Sequence, residues 1–219
     1  SVKNSYATGK VTATGLDNNG VMQAFAGGLA GASAFGSISQ SYATGEVVAD
    51  GESAGGLLGG NFENEIKESY STGKVTGTSK VGGLIGFDMR LDSGSTITDV
   101  YSSGEVVASG NDVGSLIGSS NGTTLTNSYS SGKITLTGSE QLNVNGLIGN
   151  NADATVTNSF YDKTVNPNMT DETAHGKSTE ELQTLATYTH LDISGENGSY
   201  PTLDLSADRT NVWKMVKAG

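Results

Sequence analysis

One phrase, Ser41-Tyr42-Ala43-Thr44-Gly45-Glu46-Val47, recurs through the chain and constrains its fold more than any other feature. Further copies begin at Ser5, Ser69, Val100 and Ser128, and a worn copy, Ser159-Phe160-Tyr161-Asp162, closes the series. The aromatic positions, Tyr6, Tyr42, Tyr70, Tyr101, Tyr129 and Phe160, are separated by 36, 28, 31, 28 and 31 residues. Self-similarity at such a period marks a repeat architecture, in which each unit buries its apolar face only against its neighbours.

A second phrase interleaves with the first: Gly27-Gly28-Leu29-Ala30-Gly31, Gly55-Gly56-Leu57-Leu58-Gly59 and Gly82-Gly83-Leu84-Ile85-Gly86. Weaker copies follow at Gly114-Ser115-Leu116-Ile117-Gly118 and Asn145-Gly146-Leu147-Ile148-Gly149. The step from Leu to the next aromatic is 13 residues in every repeat but one, where residues 87–95 carry four extra. Insertions also fall near residues 16–24 and 139–143. Insertions confined to fixed points of a repeat map to its corner loops.

Three short strands per repeat are expected. The first runs up to the aromatic, with an apolar residue four positions before it: Val2, Ile38, Ile66, Ile97, Leu125 and Val156. In a strand, positions four apart share a face, so this reading sends the tyrosines into the core. The second strand follows the Gly corner, as in Val47-Val48-Ala49, and the Gly-Gly-Leu phrase supplies the third. Short strands in register with Gly corners stack as a parallel β-solenoid, each coil about 4.8 Å above the last. The handedness expected of parallel crossovers is right-handed.

The residue after the corner Gly is Lys10, Glu46, Lys74, Glu105 and Lys133, so the charge alternates coil by coil. Opposite charges on adjacent strands attract and like charges repel, which specifies the stacking register. Beyond Tyr161 the phrases stop. Ser178-Thr179-Glu180-Glu181 has the form of a capping box and predicts a short helix over 179–187. Candidate strands follow at 200–205 and 211–216, the latter holding Trp213. The expected organisation is therefore a repeat region over 1–161 and a cap over 162–219. The fold class is all-β, a parallel solenoid of about five coils with one short helix in its cap.

A formal net charge of −11 argues against a nucleic-acid partner and an anionic membrane surface. No apolar stretch reaches the roughly 18 residues of a membrane helix, so no membrane insertion is expected. There is no cysteine, hence neither disulfides nor thiolate metal sites.

Gly83-Leu84-Ile85-Gly86 and Ser69-Tyr70-Ser71-Thr72-Gly73-Lys74-Val75 resemble the GLUG motif, named for its Gly-Leu-any-Gly core. The resemblance covers roughly residues 1–161. It implies a piece of a large exported bacterial protein, either a filamentous-haemagglutinin-like adhesin or an immunoglobulin A peptidase-like protein. It also implies an extracellular or cell-surface location. The motif is structural and brings no catalytic residues.

The expected role is therefore non-enzymatic: a stalk or adhesive surface for a host or matrix protein or glycan. The candidate binding loops are those that break the repeat length, with Asp17, Asn18, Asn19, Met22 and Phe25 in one and Phe87, Asp88, Met89 and Arg90 in the other. Asp17-Asn18-Asn19-Gly20 is similar to the start of a calcium loop but lacks its bidentate Glu, and no other cofactor is suggested. Three alternatives stand beside this reading. One is ice binding through an outward Thr-x-Thr face of Thr12, Thr14, Thr76, Thr78, Thr135 and Thr137, interrupted by Val48-x-Asp50 and Val107-x-Ser109. Another is a polysaccharide-active enzyme using the carboxylate pairs Glu63 with Glu65 or Asp88 with Asp92. The last is a spacer within a secreted peptidase. His175 and His190 are too far apart in the chain to suggest a metal site.

Overall fold

Each coil has four walls where the sequence suggested three strands. In the computed structural model, which describes residues 1–14, 24–51, 53–139, 141–169 and 175–217, one coil runs through Glu65–Ser71, Val75–Gly77, Val81–Gly82 and Ile85–Met89. Equivalent strands pair in parallel and in sequence order from coil to coil. Tyr42 aligns with Tyr70, Tyr101 and Tyr129 in the first wall, and Val47 with Val75, Val106 and Ile134 in the second. The result is the expected all-β parallel solenoid of about five coils.

The Gly-Gly-Leu phrase is a corner, not a strand. The third wall ends at Gly55, Gly82 and Gly114, and the fourth begins at Leu58, Ile85 and Ile117. Both apolar residues of the phrase, Leu84 and Ile85, are fully buried in one core. The glycines are required by contact: a Cβ on Gly55 would lie 2.6 Å from the Gly86 nitrogen, and one on Gly86 2.8 Å from the Ala54 backbone. The third and fourth walls thus touch through bare backbone. This divides the interior in two. Ile38, Ile66, Ile97 and Leu125 of the first wall pack with Leu58 and Ile85 of the fourth. Val47, Val75 and Val106 of the second pack with Ala54, Val81 and Val113 of the third.

The tyrosines stand outside the solenoid. Two residues before each aromatic, Asn4, Gln40, Glu68, Asp99, Asn127 and Asn158 take left-handed φ angles of 49° to 54°. One such residue interrupts the two-residue alternation of a strand and exchanges its faces. Ser41 and Ala43 therefore point inward, fully buried, and the Tyr42 between them points out. The serine closes the kink: the Ser41 hydroxyl donates to the Ser39 carbonyl at 2.8 Å and accepts the Ser5 amide at 3.2 Å. Ser69 and Ser128 repeat both bonds. The outer rings stack with centroids 4.8 to 5.3 Å apart from Tyr6 to Tyr129. Phe160 does not continue this ladder. Its ring packs on Tyr188 and His190, and Tyr200 stacks on Tyr129 in its stead. The alternating corner charges pair as expected, Lys10 with Glu46 and Lys74 with Glu105, both at 2.9 Å.

The C-terminal segment has two jobs, and only the first is to close the solenoid end. The Tyr161 ring occupies the space where a Cβ on Gly146 would fall, 2.3 Å away, and Met169 packs on both cores. The Asn166 amide donates to the Gly132 carbonyl and accepts the Ile134 amide, replacing a further coil. The remainder folds back along the first wall as a flank. Its predicted helix is shorter than expected, an α-helix over Thr179–Leu182 with the capping box in place and a separate 3-10 turn over Leu185–Tyr188. A three-stranded sheet of Ile193–Gly195, Thr202–Leu203 and Trp213–Met215 completes it.

Candidate binding surface

Residues named from the two irregular stretches meet on one surface, although Phe25 and Phe87 stand on strands rather than in loops. Phe25 from the first coil packs edge-to-face on Phe62 at 5.7 Å, and Phe62 packs likewise on Phe87 at 6.2 Å. All three rings are partly exposed, as is Met89 beside them in the sequence. Gly60 makes the space for this chain of rings: a Cβ there would lie 2.8 Å from the Phe25 ring and 3.0 Å from that of Phe62. The Lys80 ammonium sits 4.7 Å over the Phe87 ring. Phe35, whose amide donates to the Phe62 carbonyl, is 67% exposed and holds φ at 53°. A bulky residue in the left-handed region is strained, and its exposed ring gains no core packing in return. Neither Phe35 nor Phe62 was singled out from sequence. The signal for them was the absence of phenylalanine from every repeat phrase but the worn last one.

Asp88 does not belong to this surface. It is fully buried, accepting a bond from the Asn61 amide at 2.5 Å and another from the Thr123 hydroxyl. Burial raises its pKa, against the pull of Ser95, Thr123 and Asn61. The misplacement arose because residues 85–89 form a strand, so the inserted loop starts only after Met89. That loop wraps the Glu63 carboxylate, whose Oε1 accepts the amides of Leu91, Asp92, Ser93 and Gly94. The Gly94 bond is the largest influence in lowering the Glu63 pKa. Arg90 packs its side chain where a Cβ on Gly122 would lie, 2.9 Å away. Neither suggested carboxylate pair is therefore free: Asp88 is buried and Glu63 is spent on the loop.

Asp17, Asn18, Asn19 and Met22, and the calcium loop suggested there, lie outside the described residues. The Thr-x-Thr columns on the second wall are interrupted as the sequence shows, with Thr12 beside Val48 and Thr76 beside Val107. The Thr135 hydroxyl is also spent on Glu105, and that of Thr137 on the Ala108 carbonyl. Among the described residues, no three His, Asp or Glu side chains converge as a metal site needs. His190 sits in the flank. Burial lowers its pKa, outweighing its bond with the Asn158 backbone.

The flank docks on the outer tyrosines. Trp213 is buried at 6.0 Å from both Tyr101 and Tyr129 and donates to Asp99 at 3.0 Å. The Tyr129 hydroxyl donates to the Pro201 carbonyl at 2.6 Å, and Arg209 pairs with Glu68 at 2.6 Å. Burial raises the Glu68 pKa, but bonds from Arg209 and Gln40 outweigh it and leave the value lowered. Tyr101 and Tyr129 are thus covered, whereas Tyr6 remains 66% exposed.

A family model for the GLUG motif matches residues 50–76. The match spans one coil, from the approach to the third wall, through the Gly-Gly-Leu corner and the tyrosine, to the second wall of the next. It supports reading the chain as a GLUG-repeat segment. No curated protein and no solved structure matches the chain.

Proposed function

We propose that the chain is a non-enzymatic rod segment of an exported bacterial surface protein, and that the phenylalanine patch is its adhesive face for a partner protein. The observation that carries this reading is the exposed edge-to-face series Phe25–Phe62–Phe87 with the strained Phe35 beside it. Exposed apolar patches of this kind mark interaction sites, and aromatic anchors dominate binding energy. The stacked coils supply the stiffness that holds the patch away from the rest of a longer chain.

The test is surface binding of the purified chain to immobilised host and matrix proteins, comparing wild type with Phe35→Ser and Phe62→Ser. A partner bound by wild type loses about 2 kcal/mol of affinity, some thirtyfold, in Phe62→Ser. Equal binding by wild type and both variants overturns the assignment of the patch. Binding to no protein favours the spacer reading instead.

A further inference from the structure

The flank leaves a trench beside the part of the tyrosine ladder that it covers. The trench has a volume of about 460 Å³, within the usual range for ligand sites, and is lined by Tyr101, Tyr129 and Tyr200 together with Thr72, Ser103 and Ser131. Thr72, Ser103 and Ser131 each follow the outward tyrosine by two residues in successive coils, and their strands are in register. Their hydroxyls therefore form a rail along the solenoid axis, rising about 4.8 Å per coil. Among the described residues, none of these three hydroxyls is hydrogen-bonded to protein. The flank adds Ser199, Thr202 and the apolar Val216 from the opposite side. In a chain with 23 acidic residues, no Asp or Glu among the described residues lines this trench, and Lys217 is the one charged side chain among its described lining.

We infer that the trench binds a neutral glycan chain lying along the solenoid axis. A saccharide presents apolar C–H patches and a periodic series of hydroxyls. The trench answers both, with the partly exposed Tyr200 ring and Val216 for the first and the hydroxyl rail for the second. The aromatic side is rigid before any ligand arrives, because Trp213 and Tyr200 clamp the rings, so little ordering cost opposes binding. The net charge of −11 repels polyanions and selects for a neutral chain. This site lies on the first wall and does not depend on the adhesive reading of the phenylalanine patch.

The experiment is a glycan array with neutral and acidic oligosaccharides, followed by titration of the best neutral one. The whole chain is compared with Ser103→Trp, which fills the trench, and with Ser103→Ala, which removes one hydroxyl of the rail. Thr44→Trp, in the same column but outside the trench, is the control, and circular dichroism checks that each variant is folded. Binding of neutral glycans, weakened at least tenfold by Ser103→Trp, severalfold by Ser103→Ala and not at all by Thr44→Trp, is expected. Phe62→Ser leaves it unchanged. An array without neutral binders, binding confined to acidic glycans, or full binding by Ser103→Trp each overturns the inference.

Discussion

The corner glycines provide a comparison in which one column contains its own control. Gly9 and Gly73 occupy the same place in the first and third copies of the phrase. A Cβ on Gly73 would fall 1.9 Å from the Gly45 carbonyl oxygen, whereas one on Gly9 meets nothing within 4 Å. Neither holds a φ in the left-handed region, so alanine carries no backbone strain at either site. At Gly9, alanine restricts the unfolded chain and stabilises by about 0.4–1 kcal/mol. At Gly73 the coils must part, which stretches neighbouring bonds such as Thr72 amide to Ala43 carbonyl at 3.1 Å and Val47 amide to Lys74 carbonyl at 2.8 Å. Overpacking costs about 1–3 kcal/mol and each weakened bond about 1 kcal/mol. Gly73→Ala is therefore expected to lose about 3–5 kcal/mol, read from urea denaturation followed by far-ultraviolet circular dichroism. Equal stability of Gly73→Ala and Gly9→Ala would refute direct stacking of the coils at this corner.

Three further outcomes are expected. Trp213→Ala removes about 3–5 kcal/mol of packing from the flank; limited proteolysis should then cut within residues 179–217 while the coils stay protected. Asp88→Leu orphans the Asn61 and Thr123 donors and costs about 3 kcal/mol or more. Asp88→Asn should instead match or exceed wild-type stability at alkaline pH, because the raised Asp88 pKa makes its contribution fall as pH rises through the folded value. His190 has a folded pKa below its ordinary 6.5, so the unfolded chain binds the proton more readily. Stability should fall as pH drops through and below that value, and a His190→Leu variant should lose this part of the pH dependence in thermal melts.

Much of the fold is legible in the residues. The spacing of Tyr42, Tyr70 and Tyr101 gave the coil, the one exception to the 13-residue Leu-to-aromatic step marked the insertion over 87–95, and the Lys–Glu alternation gave the stacking order. The facing of the tyrosines was not legible, because alternation was carried unbroken through Ser69-Tyr70. The clue was present at position −2 from each ring, where Asn, Gln, Asp and Glu gather; Asn and Asp are among the residues that tolerate a left-handed backbone. The serine that closes the kink in every copy but that of Val100 had the same invisibility, since its bonds exist only once the kink does. The Gly-Gly-Leu phrase hid a fourth wall because its glycines serve contact between walls, which no local pattern reveals. Phe25, Phe87 and Met89, named because they lie where the repeat fails, are partly exposed, whereas Asp88 is buried because the strand runs further into the insertion than its length suggested. Phe62 joins Phe25 to Phe87 only through stacking in space.

The outward tyrosine ladder, half covered by the flank, is the point on which the facing of the first wall and the proposed trench depend. Chemical nitration of the native chain, located by mass spectrometry, tests it directly. Tyr6 should react fastest and Tyr42 next, with Tyr101 and Tyr129 protected, and Trp213→Ala should expose Tyr101 and Tyr129 without unfolding the coils. If Tyr42 and Tyr70 are as protected as Tyr129, and Trp213→Ala changes nothing, the tyrosines belong to the core and the account is contradicted.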